Sequence, residues 1–148
     1  MAANTAKISV GRLLEIRADG GYRTAVEVDR LFGEIEDALR SQNSSGSGHV
    51  AVVDWRRCPL MSPEAATRIA QRIAGMNART LRSAAIARQD APLAVLQFVR
   101  VIRETAHPER KLFFAEAELE TWLAEVLTPV EQQRLHAFLT HDRAVPHK

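Results

Sequence analysis

The chain has 148 residues, of which 46% are apolar and 26% are charged, and this suits one compact domain with a sizeable core. No apolar run approaches the roughly 20 residues that span a bilayer, and the first ten residues lack the apolar segment of a signal peptide. Cys58 is the only cysteine, which excludes an internal disulfide and fits a reducing compartment. We therefore expect a soluble, cytoplasmic protein that is not inserted in a membrane.

Charge is unevenly distributed along the chain, although the net charge is only +2. Residues 54–112 carry 11 basic and 5 acidic side chains, whereas residues 113–148 carry 3 and 6. A basic middle segment could meet phosphate or an acidic partner, but arginines that solvate helix faces are the favoured explanation. Basic and aromatic residues do not interleave, and aromatic residues make up 5% of the chain, so nucleic-acid binding is not expected.

The predicted elements begin with two short strands, at residues 8–10 and 13–18. Apolar and polar residues alternate in the second strand, so we expect Glu15 and Arg17 to face water while their neighbours face the core. A T-x-x-E capping box then starts an amphipathic helix over about residues 24–41, and a flexible Ser/Gly-rich loop follows it.

The central segment combines a buried strand, a short loop and a capped helix. The continuous apolar run at residues 50–53 is typical of a strand that is covered on both faces. Ser62 is placed to cap the next helix, Pro63 suits its first position and Glu64 suits its first turn. This helix is expected to end near residue 77.

The last third of the chain continues the alternation with strands at residues 83–87 and 111–114. Asp90 is expected to cap the helix between them, whose inner face should carry apolar side chains at helical spacing. These side chains are Leu96, Val99, Ile102 and Ala106. Glutamates open a helix at about residues 116–127, and a T-P-x-E signal then starts a final helix, which we expect to pack on the domain's own core.

This order of elements predicts one α/β domain over residues 1–148, with a core at about residues 7–127. We expect a mostly parallel or mixed central sheet of about five strands, with helices on both faces. An extra C-terminal helix at about residues 129–139 precedes a frayed tail at residues 140–148.

Three segments of the chain carry a likeness to a known family. They are VAVVDWR at residues 50–56, SAAIA at residues 83–87 and ERKLFFAEAELETWL at residues 109–123. The segments resemble the STAS-like family of anti-sigma-factor antagonists, and the last is similar to the ending R-x-F-x-x-x-x-E-A-x-x-W-L of bacterial members. The resemblance covers about residues 8–127 and implies a bacterial regulatory protein that binds a protein partner and is not an enzyme.

The resemblance also draws attention to Ser62. Antagonists of this family are phosphorylated on a serine at the start of the helix after the central strand, and Ser62 matches that position. Met61 and Pro63 differ from the acid and the small residue that flank this serine in the family. We therefore expect Ser62 chiefly to cap its helix, with regulatory phosphorylation as the alternative.

The candidate partner-binding site lies at the carboxyl ends of two neighbouring parallel strands, where ligands of open α/β sheets bind. Its residues are Asp54, Trp55, Arg56, Arg57, Ser62, Arg88 and Asp90. Trp55 is either a core plug or an anchor of the interface. The competing explanation for the charged residues is a solvated rim with an Asp–Arg pair.

We expect a non-enzymatic protein that contacts an unidentified protein partner or a second copy of itself. Neither a metal nor a cofactor is expected, because the histidines are scattered and no phosphate-binding glycine loop occurs. The alternative is a sensor that binds a small ligand or lipid between the sheet and the Ala-rich helix at residues 65–74. An enzyme is the least favoured hypothesis, since its base would have to be His49 or Asp54, and His49 is predicted at the opposite strand end.

Overall fold

A computed structural model describes residues 3–41 and 48–141 of this protein. Its strands and helices follow each other in the order that the sequence predicts. The elements are β1 (Asn4–Ile8), β2 (Leu13–Ala18), α1 (Ala25–Ser41), β3 (His49–Asp54), α2 (Pro63–Ala74), β4 (Thr80–Ile86), α3 (Pro92–Thr105), β5 (Arg110–Phe113), α4 (Glu116–Ala124) and α5 (Pro129–Leu139). Nearly all of the Ser/Gly-rich loop and of the predicted C-terminal tail lies outside the described residues.

The five strands form one sheet in which the strand order follows the chain order. β1 runs antiparallel to β2, and the other neighbouring pairs are parallel. Parallel neighbours require crossover helices, so α1, α2 and α3 pack on one face of the sheet, while α4 and α5 pack on the other. The predicted fold class, a mixed five-stranded sheet with helices on both faces and an extra C-terminal helix, is confirmed.

Alternating side chains of β3 divide the core into two layers. Ala51 and Val53 face the layer of three helices, whereas Val50 and Val52 face α4 and α5. All residues of β3 are buried, which explains its uninterrupted apolar run.

β1 lies further toward the N-terminus than predicted, at Asn4–Ile8 rather than residues 8–10. The chain turns after β1, where the Leu13 N–H donates to the Val10 carbonyl at 3.3 Å. Gly11 lies inside this turn with φ of +57°, a conformation that glycine adopts without strain. Because of this turn, β1 pairs with β2 over Asn4–Ile8, and Ile8 is the one residue of the predicted strand that takes part.

Helix α2 begins as the sequence predicts. Ser62 has an extended backbone, its Oγ accepts a hydrogen bond from the Ala65 N–H, and Pro63 occupies the first helical position. The helix ends at Ala74, earlier than predicted, because the chain tightens into a 3₁₀ turn at Asn77–Arg79 before β4.

The cap predicted for α3 is wrong. The helix begins at Pro92 after Ala91, and no side chain caps it. Asp90 does not serve as the cap because its carboxylate accepts two hydrogen bonds from Arg88, at 2.9 and 2.6 Å.

The inner face predicted for α3 is wrong in part, although Ile102 does pack against the core. The helix carries apolar residues on two sides, and the predicted side leaves Leu96 66% exposed. The side that is buried carries Ala94, Phe98, Val101 and Thr105. Phe98 stacks on Trp55 with ring centroids 4.4 Å apart, and this aromatic contact fixes which side of α3 faces the sheet.

Glu15 of β2 is buried and Arg17 is half-buried, whereas the strand pattern predicts that both face water. Glu15 is 2% exposed and accepts two hydrogen bonds of 2.7 Å from Arg134 of α5. The Arg17 guanidinium lies 4.1 Å from the centre of the Phe138 ring, also on α5. Helix α5 packs against this face of β2. The alternation of polar and apolar residues within one strand cannot predict that another element packs there.

Helix α5 packs on the domain's own core, as predicted. Its side chains Leu135, Phe138 and Leu139 are buried in the layer that α4 shares. Thr128 and Glu131 form the capping box that fixes its start, in agreement with the T-P-x-E signal.

Candidate functional site

Asp54 ends β3 at the carboxyl edge of the sheet, but only 1% of its side chain is exposed. One carboxylate oxygen accepts from Arg17 Nη1 at 2.7 Å and from Arg56 Nη2 at 3.0 Å. The other oxygen accepts from the Arg56 backbone N–H and from its Nε, both at 3.0 Å. Two arginines therefore surround this carboxylate, which does not reach the protein surface.

Arg56 connects three parts of the fold. In addition to Asp54, its guanidinium donates to Glu116 at 2.7 Å and to the Leu139 carbonyl at 2.9 Å. Burial lowers the pKa of Arg56, but hydrogen bonds and charge from Asp54 and Glu116 outweigh this effect and raise the pKa above its ordinary value. Arg56 thus joins the end of β3 to the start of α4 and the end of α5.

Trp55 is a core residue in this structure, with 3% of its surface exposed. Its ring stacks on Phe98, and its Nε1 donates to the Tyr22 hydroxyl at 3.4 Å. Burial raises the pKa of Tyr22, so the tyrosine stays neutral. Of the two explanations for Trp55, the geometry favours the core plug, because a partner that docks on the surface would not touch it.

Ser62 uses its hydroxyl in two directions. The oxygen accepts from the Ala65 N–H at 3.1 Å, and the hydroxyl donates to the Arg23 carbonyl at 2.8 Å. The first bond caps α2, and the second ties this cap to the chain just before α1. The expected capping role is confirmed.

Three of the candidate residues lie at the protein surface. Arg57 is exposed on the loop after β3, and Arg88 and Asp90 are exposed on the loop after β4. These loops are neighbours because β3 and β4 pair in parallel up to Asp54 and Ile86. These three of the seven predicted residues therefore form most of the surface at this edge. Their role in binding a partner stays a prediction.

The sequence interpretation missed an exposed apolar feature beside this edge. Leu60, Leu93 and Leu96, which we call the leucine surface, are 53%, 64% and 66% exposed. The loop of Leu60 is fixed to α3, because Gln97 accepts from the Met61 N–H at 2.9 Å and donates to the Met61 carbonyl at 2.8 Å. The second apolar side of α3 was the signal that could have revealed this feature.

A cavity of about 50 Å³ lies between the sheet and the layer formed by α1, α2 and α3. Its floor is formed by Ala51, Ser83 and Ala85, small side chains on the two central strands. Ile69 and Ile73 of α2 cover it, and most of the lining is apolar. This is the region in which the alternative hypothesis places a small ligand.

Arg110 lines one end of this cavity. Its Nη2 donates to the Asn77 side chain at 2.9 Å and to the Ile73 carbonyl at 3.2 Å, but its buried Nε has no hydrogen-bond partner among the described residues. Burial lowers the pKa of Arg110 to about 10. Within residues 3–41 and 48–141, no carboxylate pairs with this guanidinium.

His49 also lines the cavity, at the amino end of β3 as predicted. Its Nε2 lies 3.3 Å from the Thr80 hydroxyl, which itself donates to the Met76 carbonyl at 2.9 Å. Burial, followed by the positive charges of Arg79 and Arg110, lowers the pKa of His49 to about 4. The ring is therefore neutral at physiological pH.

Cys58 is a buried free cysteine. Burial raises the pKa of the Cys58 thiol to about 12, which keeps it protonated and weakly nucleophilic. Among residues 3–41 and 48–141, no group of three His, Cys, Asp or Glu side chains is placed to hold a metal ion. The same part of the chain contains no helix that is long and apolar enough to cross a membrane.

No protein-family model, no curated protein and no solved structure matches this chain.

Proposed function

We propose that this protein is a STAS-like, non-enzymatic regulator of bacterial cytoplasm that acts by binding a protein partner through the leucine surface. The observation that carries the proposal is the exposure of Leu60, Leu93 and Leu96 on two segments that hydrogen bonds hold together. The resemblance of residues 109–123 to the ending of bacterial STAS-like proteins supports the same function.

Exposed apolar side chains favour contact with a partner because water must otherwise cover them. Full burial of one leucine contributes about 1.5–3 kcal/mol, so three leucines offer a substantial part of a typical binding free energy. Leu93 and Leu96 lie three residues apart on α3 and thus project from the same side of the helix. Exposed patches of this kind commonly mark protein–protein interfaces.

The buried groups behind the leucine surface support it without contacting the partner. Trp55 and Phe98 fix the inner side of α3, and Gln97 fixes the loop of Leu60 to its outer side. A surface that is ordered before binding loses little conformational entropy on contact, which favours affinity. In this proposal Arg57, Arg88 and Asp90 form the polar rim.

The double substitution Leu93→Asp with Leu96→Asp tests the proposal. Both positions are exposed, and aspartate is tolerated near a helix start, so the fold should persist. Val130→Asp is the matched control, because Val130 is 59% exposed near the start of α5, on the opposite face of the sheet. Proteins captured from the native cell by the wild type, the double variant and the control are compared by quantitative mass spectrometry, and the partner is then purified.

We expect one partner that binds the wild type and the Val130→Asp control equally and binds the double variant about 100-fold more weakly. Sedimentation of the purified protein shows whether that partner is a second copy of the chain. Equal binding of the purified partner to all three proteins would remove the leucine surface from consideration.

We propose phosphorylation of Ser62 as the alternative in which this partner binding is regulated. A phosphate there would remove the hydrogen bond to the Arg23 carbonyl and would stand beside Glu64, whose charge opposes it. Ser62 follows Leu60 by two residues, so a change at the cap would reach the loop of the leucine surface. Phosphopeptide analysis of the native protein tests this alternative, and a Ser62 that is unmodified under all growth conditions would exclude it.

A further inference from the structure

The cavity between the sheet and α2 owes its existence to small side chains at the centre of the sheet. Ala51 of β3 lies in register with Ser83 of β4, and Ala85, two residues after Ser83, is the next β4 side chain on the same face of the sheet. These side chains reach only one heavy atom beyond the Cα or, for serine, two. The isoleucines of α2 that face them do not fill the remaining space, and the 50 Å³ cavity results.

The register of β4 and β5 also places polar side chains at one end of the cavity. Ser83 pairs with Arg110 of β5, so the two side chains lie next to each other on the same face of the sheet. Arg110 brings a positive charge to this place, and its buried Nε–H is unpartnered among the described residues. A buried donor on a charged group is costly to leave unsatisfied unless an acceptor occupies the adjacent space.

We propose that this cavity binds a short monocarboxylate, with its carboxylate at Arg110 and Ser83 and its hydrocarbon end among the apolar side chains beneath α2. This ligand site goes beyond the partner contact at the leucine surface, and either of them can fail without the other.

Three properties of the site select this class of ligand. The guanidinium lacks a protein carboxylate within the described chain, and a ligand carboxylate supplies the missing charge together with an acceptor for Nε. Most of the remaining lining, including Tyr22, Phe32 and Ile69, is apolar, which suits a hydrocarbon better than a chain of waters that each need two to four polar partners. The volume of 50 Å³ accommodates about four water-sized groups, which limits the ligand to about four or five heavy atoms.

Neutral polar groups elsewhere on the cavity wall do not compete for the carboxylate. The Thr80 hydroxyl is already engaged with the Met76 carbonyl and with His49. His49 is neutral at pH 7, because burial lowers its pKa to about 4. Lys111 also lines the cavity, but its ammonium lies 4.9 Å from the centre of the Trp122 ring, which belongs to the layer of α4 and α5 on the other face of the sheet. The carboxylate is therefore expected at Arg110, next to Ser83.

Titration of the full chain with sodium propionate, followed by two-dimensional amide NMR at constant ionic strength, tests the proposal. Propionamide is the matched neutral probe, because it has the same size and shape without the charge. We expect saturable shifts of the amide signals around Ala51, Ser83 and Arg110 with propionate, and binding of propionamide at least about tenfold weaker.

Two variants separate the cavity from nonspecific anion binding. Arg110→Gln removes the charge, and Ala51→Val fills the cavity while Arg110 stays in place. Each is expected to weaken propionate binding at least about tenfold, whereas Arg103→Gln, at an exposed arginine in the last turn of α3, leaves it unchanged. Equal shifts with propionate and propionamide, undiminished binding in the folded Ala51→Val variant, or the absence of saturable shifts would each overturn the proposal.

Discussion

Arg17 and Asp54, on the neighbouring strands β2 and β3, form an ion pair of 2.7 Å in which 14% and 1% of the side chains are exposed. They are also partners in the sheet register, so the pair lies across adjacent strands at the same level. Arg17 continues to the Phe138 carbonyl of α5 at 2.9 Å, and Arg56 extends the same network to Leu139. The buried carboxylate of Asp54 thus positions two arginines, and both arginines bind the end of α5.

Asp54→Ala is expected to destabilise the protein by about 3–5 kcal/mol, because it leaves two largely buried arginines without their shared carboxylate. The free energy of unfolding from urea titration, followed by tryptophan fluorescence, measures the effect. Trp55 is buried next to this site, so its signal reports directly on the region.

Asp90→Ala is the matched control for that substitution. Asp90 also pairs with an arginine, but both side chains of the Arg88–Asp90 pair are more than half exposed. Solvent screens such a pair, and its removal should leave the urea midpoint unchanged. Similar losses in the two variants would mean that burial does not distinguish the two ion pairs.

Arg134→Ala is expected to loosen α5, because it leaves the carboxylate of Glu15 buried and unpaired. Glu15 accepts both of its 2.7 Å hydrogen bonds from this arginine, and the expected loss of stability is about 3 kcal/mol. Hydrogen exchange of the α5 amides, measured together with urea unfolding, should show faster exchange in α5 than in α4.

Replacing both residues of the Glu15–Arg134 pair should, in contrast, restore most of the stability. Glu15→Leu combined with Arg134→Leu removes the buried charge together with its partner, and stability should return to within about 1 kcal/mol of the wild type. Arg100→Ala, which breaks an exposed pair with Glu104 on α3, serves as the surface control and should cost less than about 0.5 kcal/mol. A double variant as unstable as Arg134→Ala would show that packing, not the unpaired charge, causes the loss.

The sequence predicted the order of the elements because β3 and α2 carry strong local signals. The buried run of β3 and the cap of Ser62 each depend on residues that are close together in the chain. The burial of Glu15 and the partial burial of Arg17 could not be predicted in this way, because both residues are covered by α5, more than 100 residues later. Local alternation describes one strand, whereas the second layer of helices is a tertiary property.

The candidate site shows the same limit. Position at the carboxyl edge was predicted for Asp54, Trp55 and Arg56, and the structure places them at that edge, but in its interior. Which of the two apolar sides of α3 faces water depends on the stacking of Phe98 against Trp55, a contact between residues 43 positions apart. The leucine surface therefore becomes visible only when the packing of α3 is known.

Ser62→Ala is expected to destabilise the protein by about 1–2 kcal/mol. The substitution removes both the cap of α2 and the bond to the Arg23 carbonyl, whereas most N-caps lose one hydrogen bond. Thr67→Ala, at an exposed position of the same helix, is the control and should change stability by less than about 0.5 kcal/mol. Thermal unfolding of the two variants measures the difference. Equal losses of stability would show that the cap at Ser62 has no special role.

Protonation of His49 is expected to make the protein less stable in mild acid. Its pKa is lowered from 6.5 to about 4 in the folded protein, first by burial and then by Arg79 and Arg110. Between these two values the unfolded chain binds a proton that the native protein does not bind. Stability therefore falls as the pH is lowered from about 6.5 to 4, and the part due to His49 amounts to about 3 kcal/mol at most.

The variant His49→Gln isolates this contribution from the carboxylates that also titrate in acid. Glutamine keeps a hydrogen-bonding group near Thr80 but cannot be protonated in this range. The free energy of unfolding of both proteins is measured by urea titration at several pH values from 7.5 to about 4, and the difference between the two curves is taken. Because only the wild type has a histidine at position 49 to protonate in the unfolded state, its curve should fall more steeply below about pH 6.5. Parallel curves would show that His49 titrates alike in the folded and unfolded chains, and hence that the ring is not held neutral by the interior that surrounds the cavity.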